Sequence, residues 1–308
     1  MPARALPFFV LGIGVVVVSF AAILIRFAHA EGASALAIAA VRLTVAALVL
    51  APFAWLRAGA EILRLRRREL GLCAVSGALL AAHFWAWITS LEHTSVASST
   101  ALVTTNPLWV ALASAILLRE RPGRAAVAGI VLTLAGSALI FAADASSASR
   151  PEAAPMFGNT LALLGAMSAS GYLLVGRALR ARLSLTAYIW LAYSTAAVVL
   201  LAAAMATRVS FISLTSSAWM FMVALALGPQ LIGHTTFNWA LRRLTATFVA
   251  VAILGEPVGS ALLAYLFFGE QFSALQFAGF VLLLFGIFTA ARDERLLGQQ
   301  NARPDQAV

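Results

Sequence analysis

Ten apolar segments of about 20 residues, separated by short loops, leave this chain one kind of fold. Their approximate limits are 7–26, 33–56, 70–91, 95–118, 125–142, 157–176, 184–206, 217–240, 246–268 and 272–291. Each is long enough to cross a hydrocarbon core of roughly 30 Å. Backbone N–H and C=O groups inside lipid must be satisfied within the segment, and alternating ten-residue strands are absent, so every segment must be helical. The sequence therefore predicts an all-α integral membrane protein with ten transmembrane helices. Composition agrees: 62% of residues are hydrophobic and 11% charged, with a mean hydropathy of +0.94. No ordinary soluble domain has that balance, and the lipid bilayer is the first partner to expect.

The chain also repeats itself. Shifted by 150 positions, Leu91–Ile140 lies without a gap on Leu241–Ala290, with 11 of 50 residues identical. Apolar composition inflates such matches, but it does not account for Pro107/Pro257, Glu120/Glu270, Gly129/Gly279 and Gly136/Gly286. The chain thus divides into a first five-helix repeat (1–142), a linker (143–156), a second repeat (157–291) and a polar tail (292–308) expected to be disordered. Five spans per copy is an odd number. The second copy must start on the opposite side of the bilayer, so the repeats are expected to be inverted, and such repeats place a transporter's binding site near the midplane between them.

All 21 basic residues are Arg. With the N-terminus in the cytoplasm, 17 of them fall in the cytoplasmic loops and tail, among them Arg57, Arg64, Arg66, Arg67 and Arg68 after the second span. Only Arg26, Arg150 and Arg208 fall in the opposite set, and Arg42 lies inside a span. The positive-inside rule then places both termini in the cytoplasm, which suits a bacterial inner (plasma) membrane. The net charge of +9 does not point to nucleic acid, because no basic face interleaved with aromatics is present. Arg4, the following apolar run and Ala28-His29-Ala30 resemble a signal peptide. The run is longer than a usual signal core, however, and its removal would leave nine spans and break the match between halves. Lone Cys73 excludes an intrachain disulfide and reads as a small apolar helix residue.

Ionisable and polar groups inside spans are the candidates for function, since each is costly in lipid. Arg42 and Glu256 both fall near mid-depth and can pair; such a pair can hold the bundle in register or serve a substrate directly. Gln230, His234 and Asn238 recur at i, i+4 and i+8, a stripe on one side of the eighth span that must face the interior. Ser76, His83, Trp87 and Ser90 make a similar stripe in the third span. His83 lies one position from the symmetry mate of His234, and two imidazoles so placed can bind a carboxylate or carry a proton, although a lone helix His is more often a satisfied core group. Neither His has a second ligand at helical spacing, so no metal or other cofactor is expected. Among the aromatics, Trp109, Tyr172, Trp190, Tyr193 and Tyr265 fall in or near spans; two or three are expected at a cavity, with Tyr193 the chosen candidate, and the rest in packing or the lipid belt.

Pro107, Pro229 and Pro257 lie within spans and free the carbonyls of Val103, Leu225 and Ile253. Such breaks act as hinges or as static kinks. Asn106 and Glu256 directly precede the two matched prolines and set polar side chains beside the freed groups. Glu120 and Glu270 close their spans and read as anchors. Gly129, Gly136, Gly279 and Gly286 allow close helix approach.

Taken in order, Gly228-Pro-Gln-Leu-Ile-Gly-His234, Asn238-Trp-Ala-Leu241, Gly255-Glu-Pro-Val258 and Phe268-Gly-Glu270 resemble the second repeat of EamA-type carriers of the drug/metabolite transporter superfamily. Ser19-Phe-Ala-Ala-Ile-Leu-Ile-Arg26, Ala40-Val-Arg42, Asn106-Pro107, Arg119-Glu120 and Gly129 agree with the first. The resemblance spans nearly the whole chain except linker and tail, and departs where Ser19-Phe20 stands in place of a common Trp. It implies ten helices in two inverted repeats and export of amino acids or related small metabolites, as in YddG-like exporters. The substrate-contacting residues expected are His83, Trp87, Gln230, His234, Asn238, Glu256, Arg42 and Tyr193, with proton coupling through the imidazoles and a monomer or homodimer as the working unit. Rival classes find little support. An intramembrane enzyme would need HExxH, paired Asp, or Ser and His in a Gly-rich setting; a channel would need a charge ring or carbonyl filter; a primary pump would need a phosphate loop.

Overall fold

In a computed structural model, the structure describes residues 6–94, 96–113, 123–146, 154–244, 246–269 and 273–289, apart from 276, 283 and 287. Within these residues every regular element is a helix. The first copy supplies α1 (Leu6–Ser19), α2 (Ala21–Ala30), α3 (Ala35–Leu63), α4 (Arg67–His93), α5 (Val96–Val103), α6 (Asn106–Ala113) and α7 (Arg124–Ser146). The second supplies α8 (Pro155–Arg180), α9 (Leu185–Ala206), α10 (Ser216–Leu225), a π-helical stretch (Ala226–His234), α11 (Thr235–Ala240), α12 (Ala246–Ile253) and α13 (Gly255–Phe268). Seven helical runs are long and apolar enough to cross a membrane, and Val127–Leu139 and Phe277–Gly286 are shorter apolar helices. The expected fourth span is divided into α5 and α6 and enters residues outside those described, so the count of ten is not reached here. Helix α7 runs to Ser146 and α8 starts at Pro155, which shortens the expected linker from both ends. Glu120, Glu270, the tail and the centre of the linker lie outside the described residues.

The two copies run in opposite senses where their equivalent helices meet. Helices α3 and α9 pack together, and Glu61 near the C-terminal end of α3 accepts a hydrogen bond from the Ser184 N–H at the start of α9, at 2.7 Å. Trp55 and Trp190 meet edge to face, 5.6 Å apart, along the same antiparallel seam. The 150-residue offset is visible in the caps themselves. Ser34 Oγ accepts from the Ala37 N–H at 3.3 Å and Ser184 Oγ from the Ala187 N–H at 3.2 Å. An unpaired helix N-terminus needs such an acceptor, and each of these two also receives a Glu carboxylate from a distant helix, Glu92 on the Ala35 N–H (3.1 Å) and Glu61 on Ser184.

Small residues set how closely the helices approach. A Cβ at Gly77 on α4 would sit 2.6 Å from the Ala192 carbonyl oxygen of α9, and one at Gly286 would sit 2.7 Å from the Gly129 carbonyl oxygen. The Gly129/Gly286 contact is the kind expected from the sequence. Large apolar side chains instead crowd the outside, with Val16 63%, Leu56 85% and Phe277 66% exposed, as a surface solvated by lipid requires.

Four spans are broken, and the broken ones pack on each other: α1 against α13 and the π-helical stretch, α5 against α13, α6 against α12. Pro107 is the second residue of α6 and Pro257 the third of α13. Each therefore sits in a first helical turn, where a missing N–H costs nothing. The carbonyls of Val103, Leu225 and Ile253, freed by the three prolines, belong to the last residues of α5, α10 and α12. Pro229 is absorbed by the π-helical stretch, and Pro52 by an unbroken α3. The first span breaks at Phe20 without proline. There the Ser19 carbonyl accepts from Ser260 Oγ of α13 at 2.9 Å instead of closing a helical turn.

Candidate functional site

The broken helices surround a buried cavity with walls from both copies. His83 and Trp87 come from α4 and Val103, Thr104 and Asn106 from the α5–α6 break; Tyr172 of α8, with His234, Phe237, Ile253 and Glu256, completes it from the second copy. Its free volume is about 30 Å³, room for two or three waters.

Most of the lining is apolar or aromatic, and the polar groups are few and placed. Glu256 is 5% exposed and faces the cavity from the first turn of α13. No described residue engages its carboxylate in a hydrogen bond or ion pair, so the acid is free to meet a ligand. His83 Nδ1 lies 3.0 Å from the Gly165 carbonyl oxygen. A carbonyl only accepts, so Nδ1 carries the proton and Nε2 of the neutral ring is left as an acceptor. The His83 ring stacks on Trp87 (6.0 Å, 12°) and lies 6.4 Å from the His234 ring. The Trp87 indole N–H is buried without a partner. Asn106, with its amide nitrogen turned towards two carbonyls, donates to Val103 and Ala166 at 3.0 Å each. It thereby satisfies the very carbonyl that Pro107 frees.

The sequence-predicted residues divide into two groups. His83, Trp87, His234 and Glu256 line the cavity together. Gln230, Asn238, Arg42 and Tyr193, all 0% exposed, lie behind its wall. Gln230 Oε1 accepts from Arg42 Nε at 2.7 Å, and Asn238 Nδ2 donates to the Tyr172 hydroxyl at 2.5 Å and to the His234 carbonyl at 2.8 Å. The i, i+4, i+8 stripe assumes α-helical geometry, whereas Ala226–His234 is π-helical, with i→i+5 bonds that turn successive side chains by a smaller angle. Four such steps still come close to a full turn, so Gln230 and His234 remain on one side of the helix, Gln230 bonded to Arg42 and His234 lining the cavity. Nor do Arg42 and Glu256 form an ion pair: the guanidinium lies on the Phe84 ring, 3.9 Å from its centroid, and bonds to Gln230.

Sequence reasoning passed over Thr104 and Phe237 and saw Asn106 only as a neighbour of Pro107. Tyr172, not Tyr193, is the tyrosine at the cavity. It is joined through Asn238 to α11, and its ring stacks on Tyr188 (6.3 Å), which hydrogen-bonds Ser76 at 2.8 Å. Tyr265 is 51% exposed and belongs to the lipid-facing surface, Trp190 packs on Trp55, and Trp109 donates to Thr105 Oγ1 at 3.2 Å. No group of three His, Cys, Asp or Glu side chains able to hold a metal occurs among the described residues.

Comparison with known proteins gives two findings. The model of the EamA-like transporter family matches twice, over residues 7–142 and 156–292. One crystal structure superposes with a TM-score of 0.75 at 21% identity, over 95% of this chain and 100% of the other, a likeness that speaks to fold alone. No curated protein matches.

Proposed function

This chain belongs to the EamA-like transporter family, and on that premise we propose that it is a secondary transporter of a bacterial inner membrane, exporting amino acids or related small metabolites. The family is one of transporters rather than enzymes. In this reading ten transmembrane helices form two inverted five-helix repeats, and the repeats exchange shapes so that the cavity between them opens to one side and then to the other. The breaks at Pro107, Pro229 and Pro257 are the hinges.

One observation carries the reading: a cavity walled by helices of both copies, with one carboxylate among aromatic rings. A substrate ammonium group finds in Glu256 its only full negative charge among the lining residues, and ring faces beside it favour both cations and apolar side chains. His83 and His234 supply sites at which a proton can bind or leave, which makes a pH gradient the natural driving force to test.

Reconstitution in liposomes with a panel of labelled amino acids, with and without a pH gradient, is the decisive measurement. Counterflow of at least one apolar amino acid is expected, faster when a proton gradient is imposed. No counterflow across a broad panel would defeat the proposed substrate class. Topology is tested separately in a Cys73→Ala background. A cysteine at Ser147 is expected to react with an impermeant thiol reagent in intact cells and one at Arg66 to stay unlabelled; the reverse pattern defeats the orientation.

A further inference from the structure

Behind the cavity wall lies a buried cluster of polar groups with an unusual imbalance. Arg42 Nε is taken by Gln230 Oε1, which fixes the orientation of that amide and turns Gln230 Nε2 away from the bond. Arg42 Nη1 and Nη2 and Gln230 Nε2 are buried without a hydrogen-bond partner, as is Asn238 Oδ1. The Tyr193 hydroxyl faces Thr235, Gln230 and Asn238. Only Asn238 Oδ1 among these atoms is an obligate acceptor. The cluster is therefore rich in donors and holds a guanidinium that no described carboxylate hydrogen-bonds, Glu256 acting on it only through space.

Water can complete hydrogen bonds here but cannot neutralise the guanidinium, and a buried charge whose counterion stays at a distance is more costly than one in a hydrogen-bonded pair. The free end of Arg42 offers Nη1 and Nη2 side by side, a fork matched to two oxygens in one plane. We propose that this cluster between α3, α9 and the π-helical stretch is a subsite for a carboxylate group, the one carried by the transported substrate.

This inference rests on the transport reading and names a second recognition point for the same cargo, opposite in charge to Glu256. The wall between the two is thin. Phe84 covers Arg42 on one side and lies edge to face with His234, 5.1 Å away, and His234 lines the cavity. Gln230 and His234 both belong to the π-helical stretch, so a change in its register moves the wall and the cluster together. A substrate bearing both charges then engages Glu256 and Arg42 only once that wall has moved, which ties recognition to the conformational step.

The test uses the full chain in detergent, with thermal unfolding followed against sodium acetate and, separately, sodium chloride at constant ionic strength. Acetate is expected to raise the midpoint saturably, at a half-saturating concentration about tenfold below that of chloride, because only the carboxylate uses the fork. Arg42→Gln removes the acetate effect. Should that variant fail to fold, Tyr193→Phe, which loses one donor and no charge, raises the half-saturating concentration several-fold. Equal responses to acetate and chloride, or no saturable response, overturn the carboxylate subsite. A second arm compares L-phenylalanine with L-phenylalaninamide as competitors of counterflow in liposomes, where the acid is expected to win by about tenfold. Competition by acid and amide alike, with transport intact, sinks this proposal and leaves the transport reading standing. A saturable acetate response with no transport of any amino acid does the opposite.

Discussion

Glu256→Gln abolishes or re-specifies transport while leaving the protein inserted and folded. The substitution is nearly isosteric, and the carboxylate makes no bond to any described residue, so the fold loses little. A bound ammonium group, by contrast, loses a charge-assisted hydrogen bond in a largely aromatic and apolar cavity. Such a bond contributes about 1.5–3 kcal/mol, which corresponds to a loss of roughly ten- to hundredfold in apparent affinity. Counterflow in proteoliposomes, normalised to the amount of inserted protein, measures both halves of the expectation. Near-normal transport by the variant would reduce Glu256 to an accessory of the helix break at Pro257, and the substrate contacts would then have to be sought around His83 and His234.

Arg42→Ala is expected to do more harm to the fold than Glu256→Gln. Arg42 is 0% exposed and heads the fully buried side chains in volume. Its loss opens a void beside Phe84 and Tyr193 and leaves Gln230 Oε1 without its donor. Void and orphaned acceptor together cost about 3–5 kcal/mol. Against this, deleting a buried charge relieves a desolvation penalty. The first effect is expected to prevail, because the guanidinium is partly compensated where it sits, by the Gln230 oxygen on its edge and the Phe84 ring on its face. A lowered unfolding midpoint and a reduced yield of monodisperse protein in detergent are the readouts. A variant as stable as the parent, or more so, would mean that Arg42 is held in the bundle at a net expense in stability and is kept only for what it binds.

Hydrophobic length and the positions of proline, serine and glycine carried much of the architecture in one dimension. Lipid excludes every backbone solution but a closed one, so apolar runs of sufficient length had to be helices, and among the described residues they are. The 150-residue offset was legible in matched Pro and Gly pairs because these residues act on their own backbone. Proline removes a hydrogen-bond donor from its own backbone wherever it sits, and Ser34 and Ser184 cap theirs through contacts three residues away. Local chemistry of that kind needs no knowledge of the neighbours.

What only the tertiary structure decided was which polar side chains share a space. That depends on the rotation of each helix about its axis and on its distance from the next, both set by remote contacts such as Gly77 against Ala192. A stripe drawn at 3.6 residues per turn put Gln230, His234 and Asn238 together at one cavity; the neighbouring helices divided them, with Arg42 and Tyr172 engaging Gln230 and Asn238 and His234 left at the cavity. Arg42 and Glu256 were matched by depth, the one coordinate that counting along a span supplies. In three dimensions the guanidinium turns to Gln230 and Phe84 while the carboxylate faces the cavity alone, because depth says nothing of azimuth, and azimuth decides which charges meet.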